Sequence, residues 1–293
     1  MTVAILGFSF VPMKVGLREL PPFALCALRF LFAAIPLVFF VKPPRIPWIY
    51  VVGYGVAIGV FQFGLLFLGI AKGMPAGLAS LVIQVQVFFT IGLGIVFLRD
   101  RLQRHNLIGA AIAGLGLALL AIHKVDVGDG ATLLGFALVI AAAMAWAVGI
   151  IVAKRAASAY AADMFALVVW SSLAAPIPLA ILSYAFEGGA AVGHALLSAS
   201  ALTWGCALFM AWGATLFGFA TWARLMHRYP TALFSPFALL IPVTGLASGL
   251  LFLGESLSAL QAAGAIVVFV GLAVNIYGAR PARTPVSLGE EQG

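Results

Sequence analysis

The chain has 293 residues, of which 64% are hydrophobic and 9% charged, with a mean hydropathy of +1.16. That is more apolar surface than a soluble domain can bury, so the chain is no ordinary soluble enzyme or binding module. The net charge of +7 is scattered over segment ends rather than gathered in a stripe, which fits membrane orientation and not a nucleic-acid partner.

A helix needs about 20 apolar residues to cross a hydrocarbon core. Runs near that length fall at 2–15, 22–41, 48–71, 75–98 and 107–122 and, beyond a short polar loop, at 132–153, 164–186, 201–223, 231–253 and 259–277. The expected fold is an all-α integral membrane protein of ten transmembrane helices. The first run is too short to cross comfortably and lacks the basic start and cleavage site of a signal peptide, so the true start is expected upstream. Residues 279–293 are polar and proline-containing, and a disordered tail is expected there.

Lys and Arg set the orientation. With the N-terminus inside, the inner loops and tail hold 11 of them (Lys42, Arg45, Arg99, Arg101, Arg104, Lys154, Arg155, Arg224, Arg228, Arg280 and Arg283). The outer loops hold Lys14, Arg18, Lys72 and Lys124. Both termini are therefore expected in the cytoplasm.

The chain repeats itself. Residues 75–120, moved by 155 positions, fall on 230–275 without a gap. Pro75 meets Pro230, Ser80 meets Ser235, Gly94 meets Gly249, Gly109 meets Gly264, and the acids Asp100 and Glu255 coincide. Two repeats follow, 1–123 and 131–278, each of five spans. Five is odd, so the halves must be inverted relative to each other. That arrangement suits alternating access, because each half can take the shape the other has given up. A secondary transporter is expected rather than a receptor or an enzyme.

The last span of each half is rich in Gly and Ala, which lets helices approach closely in lipid, and the two are expected to form a static seam. Gly55-x-x-x-Gly59 and Gly245-x-x-x-Gly249 are read as packing within the chain rather than as dimer motifs, and a monomer is expected. Cys26 and Cys206 lie inside apolar runs as small hydrophobes, so neither a disulfide nor a metal site is expected.

Every acid and every histidine falls in a loop, at a span end or in the tail, and no nucleotide, metalloprotease or hydrolase motif occurs. No catalytic residue and no cofactor are expected. A buried carboxylate relay for protons is missing as well. What the spans hold is one cation and several neutral polar groups. Arg29 lies inside the second span at a cost of at least about 2.5 kcal/mol. It is either a carboxylate anchor for an anionic or zwitterionic substrate or a brace between helices, and bracing is preferred. Gln84 and Gln86 lie mid-span and about 200° apart, so they face different ways. Ser80, Gln84 and Phe88 share one face, and Gln86 and Thr90 another. Their repeat partners are Leu239 and Ile241, so the polar pair breaks the symmetry at mid-membrane. Gln62 sits mid-span in the third helix. Trp146, Ser171, Trp212 and Thr215 are also at depth; Trp48, Trp204 and Trp222 are read as interface anchors, and Pro36, Pro176, Pro178, Pro236 and Pro242 as possible hinges.

Ten spans in two inverted halves, with an LGExL-like close of the fourth and ninth spans, resemble the drug/metabolite transporter superfamily and, within it, the EamA family. The run 73–90, GMPAGLASLVIQVQVFFT, is similar to that of the bacterial O-acetylserine/cysteine exporters of this family, as are Lys14-Val-Gly-Leu17, Leu28-Arg-Phe30, Val169-Trp-Ser171 and residues 242–248. Two positions depart from the pattern. The family's Trp-Gly pair and following Asn in the first span are Leu6-Gly7 and Ser9 here, with the tryptophan kept only at Trp146 in the second half. The first acidic signature residue is Asp100 instead of Glu.

The resemblance implies an inner-membrane exporter of small amino acids and derivatives of the cysteine/O-acetylserine kind. Gln62, Gln84, Gln86 and Trp146 would line its site, with Ser80 and Arg29 as further contacts. The residues alone support a small, polar, weakly charged substrate. A carrier of another small metabolite and a non-transporting membrane sensor stay open. A sugar-phosphate carrier does not, since a phosphate needs more than one buried cation. Proton antiport, exchange and facilitation all remain open, the latter two slightly favoured.

Overall fold

The structure, a computed structural model, describes residues 1–100, 102–126, 130–160, 162–218, 221 and 239–278. The expected tail, the start of the ninth span, the end of the eighth, Trp222 and Pro236 lie outside the described residues. Those described are helical, with no strand among them. Seven helices are long and apolar enough to cross a membrane, and three more are shorter and apolar.

In order they are α1 (Thr2–Gly16), α2 (Pro22–Leu37), α3 (Trp48–Ala71), α4 (Ala76–Leu98), α5 (Arg104–Asp126), α6 (Gly130–Tyr160), α7 (Met164–Ser198), α8 (Ala201–Gly218), α9 (Leu240–Leu253) and α10 (Ala259–Tyr277). Large apolar side chains stay uncovered, among them Leu251 at 78% and Ile181 at 63% exposure, as lipid-facing surfaces require.

Two boundaries differ from expectation. Helix α6 runs on to Tyr160, because Lys154 and Arg155 lie within a run of helix-favouring alanines. Beyond Phe186, where a loop is expected, α7 continues through a wide π-turn at Tyr184–Gly188, resets at Gly188 with φ +83°, and adds a further helix, Gly189–Ser198. Only glycine takes that φ cheaply.

The seam of small residues is real: α5 and α10 pack along their length, Gly116 against the Gly264 carbonyl and Gly271 against Gly109 and Ala113. Both GxxxG motifs pack within the chain, Gly55 and Gly59 against Ser171, Ala174 and Ala175 of α7, Gly245 and Gly249 against Ser80 and Gly77 of α4. Contacts between helices recur when the halves are exchanged. The α1–α9 contact maps on α6–α4, α3–α6 on α8–α1, and α2–α8 on α7–α3. The pairs α2–α7, α4–α9 and α5–α10 map on themselves. The repeat also recurs in backbone detail. Arg99 and Gly254 both close their helices at positive φ, 58° and 64°. Asp100 N–H and Glu255 N–H then donate to the Gly94 and Gly249 carbonyls, each at 3.2 Å.

Helices α2, α3 and α4 follow Pro21, Pro47 and Pro75, which supply no side chain to cap the free N–H groups of the first turn. Acids from elsewhere do so at two of them. Glu255 accepts from Ala76 N (2.6 Å) and Gly77 N (2.8 Å) at the start of α4. Glu187 accepts from Phe23 N (2.7 Å), Ala24 N (3.3 Å) and the Ser183 hydroxyl at the start of α2. In the same manner Glu19 holds the start of α8, taking bonds from Ser200 N (2.7 Å), the Ser200 hydroxyl (2.9 Å) and the Thr203 hydroxyl (2.8 Å). These three bonds hold the Glu19 carboxyl below its ordinary value, the Ser200 amide most of all.

Candidate functional site

In lipid, a backbone that leaves regular α-helix must be buried in protein or line a cavity. Here α3 widens to π over Val56–Phe63, α8 does so over Phe209–Gly218, and α7 breaks into a turn between Ser171 and Pro176. These three irregular stretches, with α2, enclose one small cavity. Its walls are Phe30 of α2, Tyr54, Ile58, Gly59 and Phe63 of α3, Val168, Ser171 and Ser172 of α7, and Thr215 of α8. Its volume open to water is about 20 Å³, room for about one molecule.

Arg29 lies behind this wall, against Thr215, Phe63 and Phe30, and is 2% exposed. Its Nε (3.2 Å) and Nη2 (3.1 Å) both donate to the Thr215 hydroxyl, which in turn donates to the Met210 carbonyl across the π-turn. The guanidinium carbon lies 3.9 Å from the centre of the Phe63 ring and 5.9 Å from that of Phe30. Nη1 has no hydrogen-bond partner among the described residues. Phe63, which the sequence offered only as a neighbour of Gln62, is thus a cation–π support. Thr215, expected at depth without a role, is the polar one.

The remaining expected site residues are spread along other interfaces. Gln62 lies within the π stretch of α3 and is 2% exposed. Ser80 is fully buried at the α4–α9 crossing, bonded to the Gly77 carbonyl (2.6 Å) and the Pro242 carbonyl (3.4 Å). Gln84 is buried; a tight 3-10 turn, Ile83–Val85, separates it from Gln86. At about 120° per residue that turn brings their angle to roughly 120° by the shorter way, narrower than in an α-helix, and they still face different ways. Gln86 accepts from the Thr90 hydroxyl (3.2 Å), on the face they were expected to share. Trp146 is half-buried against the main core from α6. The structure sets Arg29 against the cavity wall, through Thr215 and Phe63, and leaves Ser80 in a seam.

Helix α1 is integral to the bundle despite its departures. Gly7 meets Thr244 and Gly245 of α9, Phe8 meets Phe252 and Phe209 edge-on, and the Ser9 hydroxyl bonds back to the Leu6 carbonyl where the helix breaks. The indole N–H groups of Trp212 and Trp170 donate to the Phe32 and Val41 carbonyls (both 3.0 Å), fixing α8 and α7 to α2 and the turn that follows it. At the far end of the bundle Tyr50, Leu98, Asp100, Lys154, Arg155, Ser158 and Ala159 line a broad open recess of about 620 Å³.

Fold and site together define an all-helical, multi-pass membrane protein with a small cavity between its helices. The chain belongs to the EamA-like transporter family, whose model matches residues 1–122 and again 133–277. It is 41% identical over 285 residues to a probable amino-acid metabolite efflux pump of Salmonella typhimurium LT2, covering 97% of this chain and 95% of that protein. A protein of the same description in Escherichia coli K12 is 41% identical over 281 residues, covering 96% and 94%. A solved crystal structure, 22% identical, shares the fold over 96% of both chains with a TM-score of 0.61.

Proposed function

We propose that the protein exports small amino acids and their derivatives, of the cysteine/O-acetylserine kind, across the bacterial inner membrane by alternating access. The observation that carries this reading is the end-to-end similarity to two relatives described as amino-acid metabolite efflux pumps. The packing supports the mechanism. Because helix contacts recur on exchange of the halves, we take the chain as ten spans in two inverted five-helix repeats, 1–123 and 131–278, with both termini cytoplasmic by the Lys and Arg count. The substrate would sit between the halves, near the amides of Gln62, Gln84 and Gln86 and the ring of Trp146, with Ser80 in the adjoining α4–α9 seam.

The test is flux. Vesicles reconstituted with the protein should move labelled cysteine and O-acetylserine faster than protein-free vesicles, and an imposed pH gradient separates proton antiport from exchange or facilitation. Gln84→Leu keeps volume while removing a donor and an acceptor. One lost hydrogen bond is worth about 0.5–1.5 kcal/mol to a neutral group and about 1.5–3 to a charged one. Apparent affinity should fall roughly threefold to a hundredfold at unchanged protein level. Gln86→Leu, facing the other way, should act mainly on stability. Folded protein that moves neither solute would refute transport of this class and leave the readings of a carrier for another small metabolite and of a membrane sensor.

A further inference from the structure

A buried guanidinium needs an anion or a full set of acceptors. Arg29 has one acceptor, the Thr215 hydroxyl, shared by two of its three nitrogens, and forms no ion pair among the described residues. The faces of Phe63 and Phe30 support the positive charge but accept no hydrogen bond. Among the described residues Nη1 is therefore a strong donor with nothing to donate to, and the groups Arg29 touches, Thr215, Phe63 and Phe30, are walls of the cavity. Ser171 and Ser172 spend their protons on the Val168 carbonyl, at 3.1 and 2.7 Å, which leaves their oxygens as acceptors. Tyr54 lines the same space. A brace between helices would look different, with the fork of the guanidinium filled by carbonyl groups or a carboxylate.

The walls are also built to change size. Three of the four helices round the cavity are irregular at its level, and π-turns of this kind sit disproportionately at functional sites. In its present form the space accepts about one water molecule, so a ligand must open it. The polar side chains of its lining come from both halves, Tyr54 from the first and Ser171, Ser172 and Thr215 from the second, with Arg29 of the first behind Thr215.

We infer that this cavity is the binding site for the carboxylate of the transported solute, with Arg29 Nη1 as its main donor and Tyr54 and Thr215 beside it. The inference rests on the transport reading above and adds the group that is recognised and the place where it is held. A carboxylate supplies the missing charge and two oxygens for the free donor, and it suits the one-cation site better than a phosphate. Chloride offers the same charge without the planar oxygens, and the experiment distinguishes the two.

The experiment uses the purified full chain and reads binding and flux separately. Ligand-induced thermal stabilisation is measured with cysteine, with cysteamine, which lacks the carboxylate, with cysteine methyl ester, and with sodium chloride against sodium gluconate. Wild type should respond to cysteine at concentrations at least about tenfold lower than to either analogue, the value of one charge-assisted bond. Arg29→Gln should respond to all three alike, and Tyr54→Phe should narrow the gap without closing it. Where Arg29→Gln does not fold, Thr215→Val, which removes the hydroxyl that orients the guanidinium, must narrow it in the same way. A cysteine preference that survives in the folded Arg29→Gln variant overturns the site, as does saturation by chloride alone with no carboxylate preference. Export of cysteine and cysteamine by wild type at equal rates and affinities overturns the site while leaving the transport reading intact. Flux of neither solute defeats that reading instead.

Discussion

Glu255 is a sharp point at which to break the frame. Its carboxylate, at the end of the second half's α9, accepts two backbone N–H groups, Ala76 at 2.6 Å and Gly77 at 2.8 Å, at the start of the first half's α4. Pro75 leaves α4 with no cap of its own. Glu255→Gln keeps one acceptor and turns the other into an NH2 group facing an N–H. The variant loses one charge-assisted bond, worth about 1.5–3 kcal/mol. It also loses the favourable pairing of a negative charge with a helix N-terminus, about 0.3–1 kcal/mol. Glu255 is only half-buried, so the lower end applies, about 1–3 kcal/mol. At somewhat under about 2 °C per kcal/mol for a chain of 293 residues, the melting temperature in detergent should fall by roughly 2–5 °C. Hydrogen exchange locates the effect: the amides of residues 76–79 should lose protection while the α5–α10 seam keeps its own. Unchanged exchange at Ala76 and Gly77, with an unchanged melting temperature, would refute the idea that the acidic signature residue works as an inter-half cap.

Gly271→Leu should disrupt the seam, because even a Cβ there would lie 2.5 Å from Ala113 N and 2.6 Å from the Gly109 carbonyl, both backbone atoms that cannot turn aside. Overpacking of this kind costs about 1–3 kcal/mol or more, so monodisperse protein should be lost on size-exclusion chromatography, whereas Gly114→Ala, with open space around it, should be neutral or mildly stabilising. Glu19 predicts an acid-side response: its carboxyl is held below the ordinary 4.5, so its contribution is complete above that pH and is lost as pH falls through the depressed native value. Glu19→Gln should therefore flatten the decline of melting temperature below about pH 4.5, and an identical slope in the variant would count against the cap.

Much of this frame is legible in the sequence for a physical reason. Lipid forces every span to be long, apolar and helical, so the run of Trp48–Ala71 and that of Ala259–Tyr277 can be bounded to the residue. Glycine spacing shows which helices come close, as at Gly245 and Gly249. What cannot be read is any contact that depends on two distant segments. Nothing near Glu187 or Glu19 points to Phe23 or Ser200, although helices that begin after Pro21 and Pro75 do announce that a cap must come from elsewhere. Arg29 is the clearest case. The sequence gives its cost but not its partners, and bracing was the natural expectation for a lone cation. The geometry turns on Thr215, 186 residues away, and on a nitrogen left unpaired.

The location of that pairing has a mechanical consequence. In the proposed inverted-repeat arrangement, exchange of the halves maps α2 on α7 and α3 on α8, so a cavity walled by these four helices would straddle the axis relating them. The Arg29–Thr215 bonds cross from one half to the other at that point. In a carrier that works by relative motion of its halves, no other place keeps both within reach of a ligand while each end opens in turn. Movement of α8 against α2 stretches or breaks the bonds to Thr215 and leaves a buried cation with still fewer acceptors, a state that costs several kcal/mol unless water or an anion enters. A bound carboxylate removes that penalty in every intermediate position. Loaded protein should then cross between its two open states more easily than empty protein, which is the requirement for exchange to outpace net leak. Counterflow faster than unidirectional efflux in wild type, with the difference lost in Arg29→Gln, is the behaviour this arrangement demands.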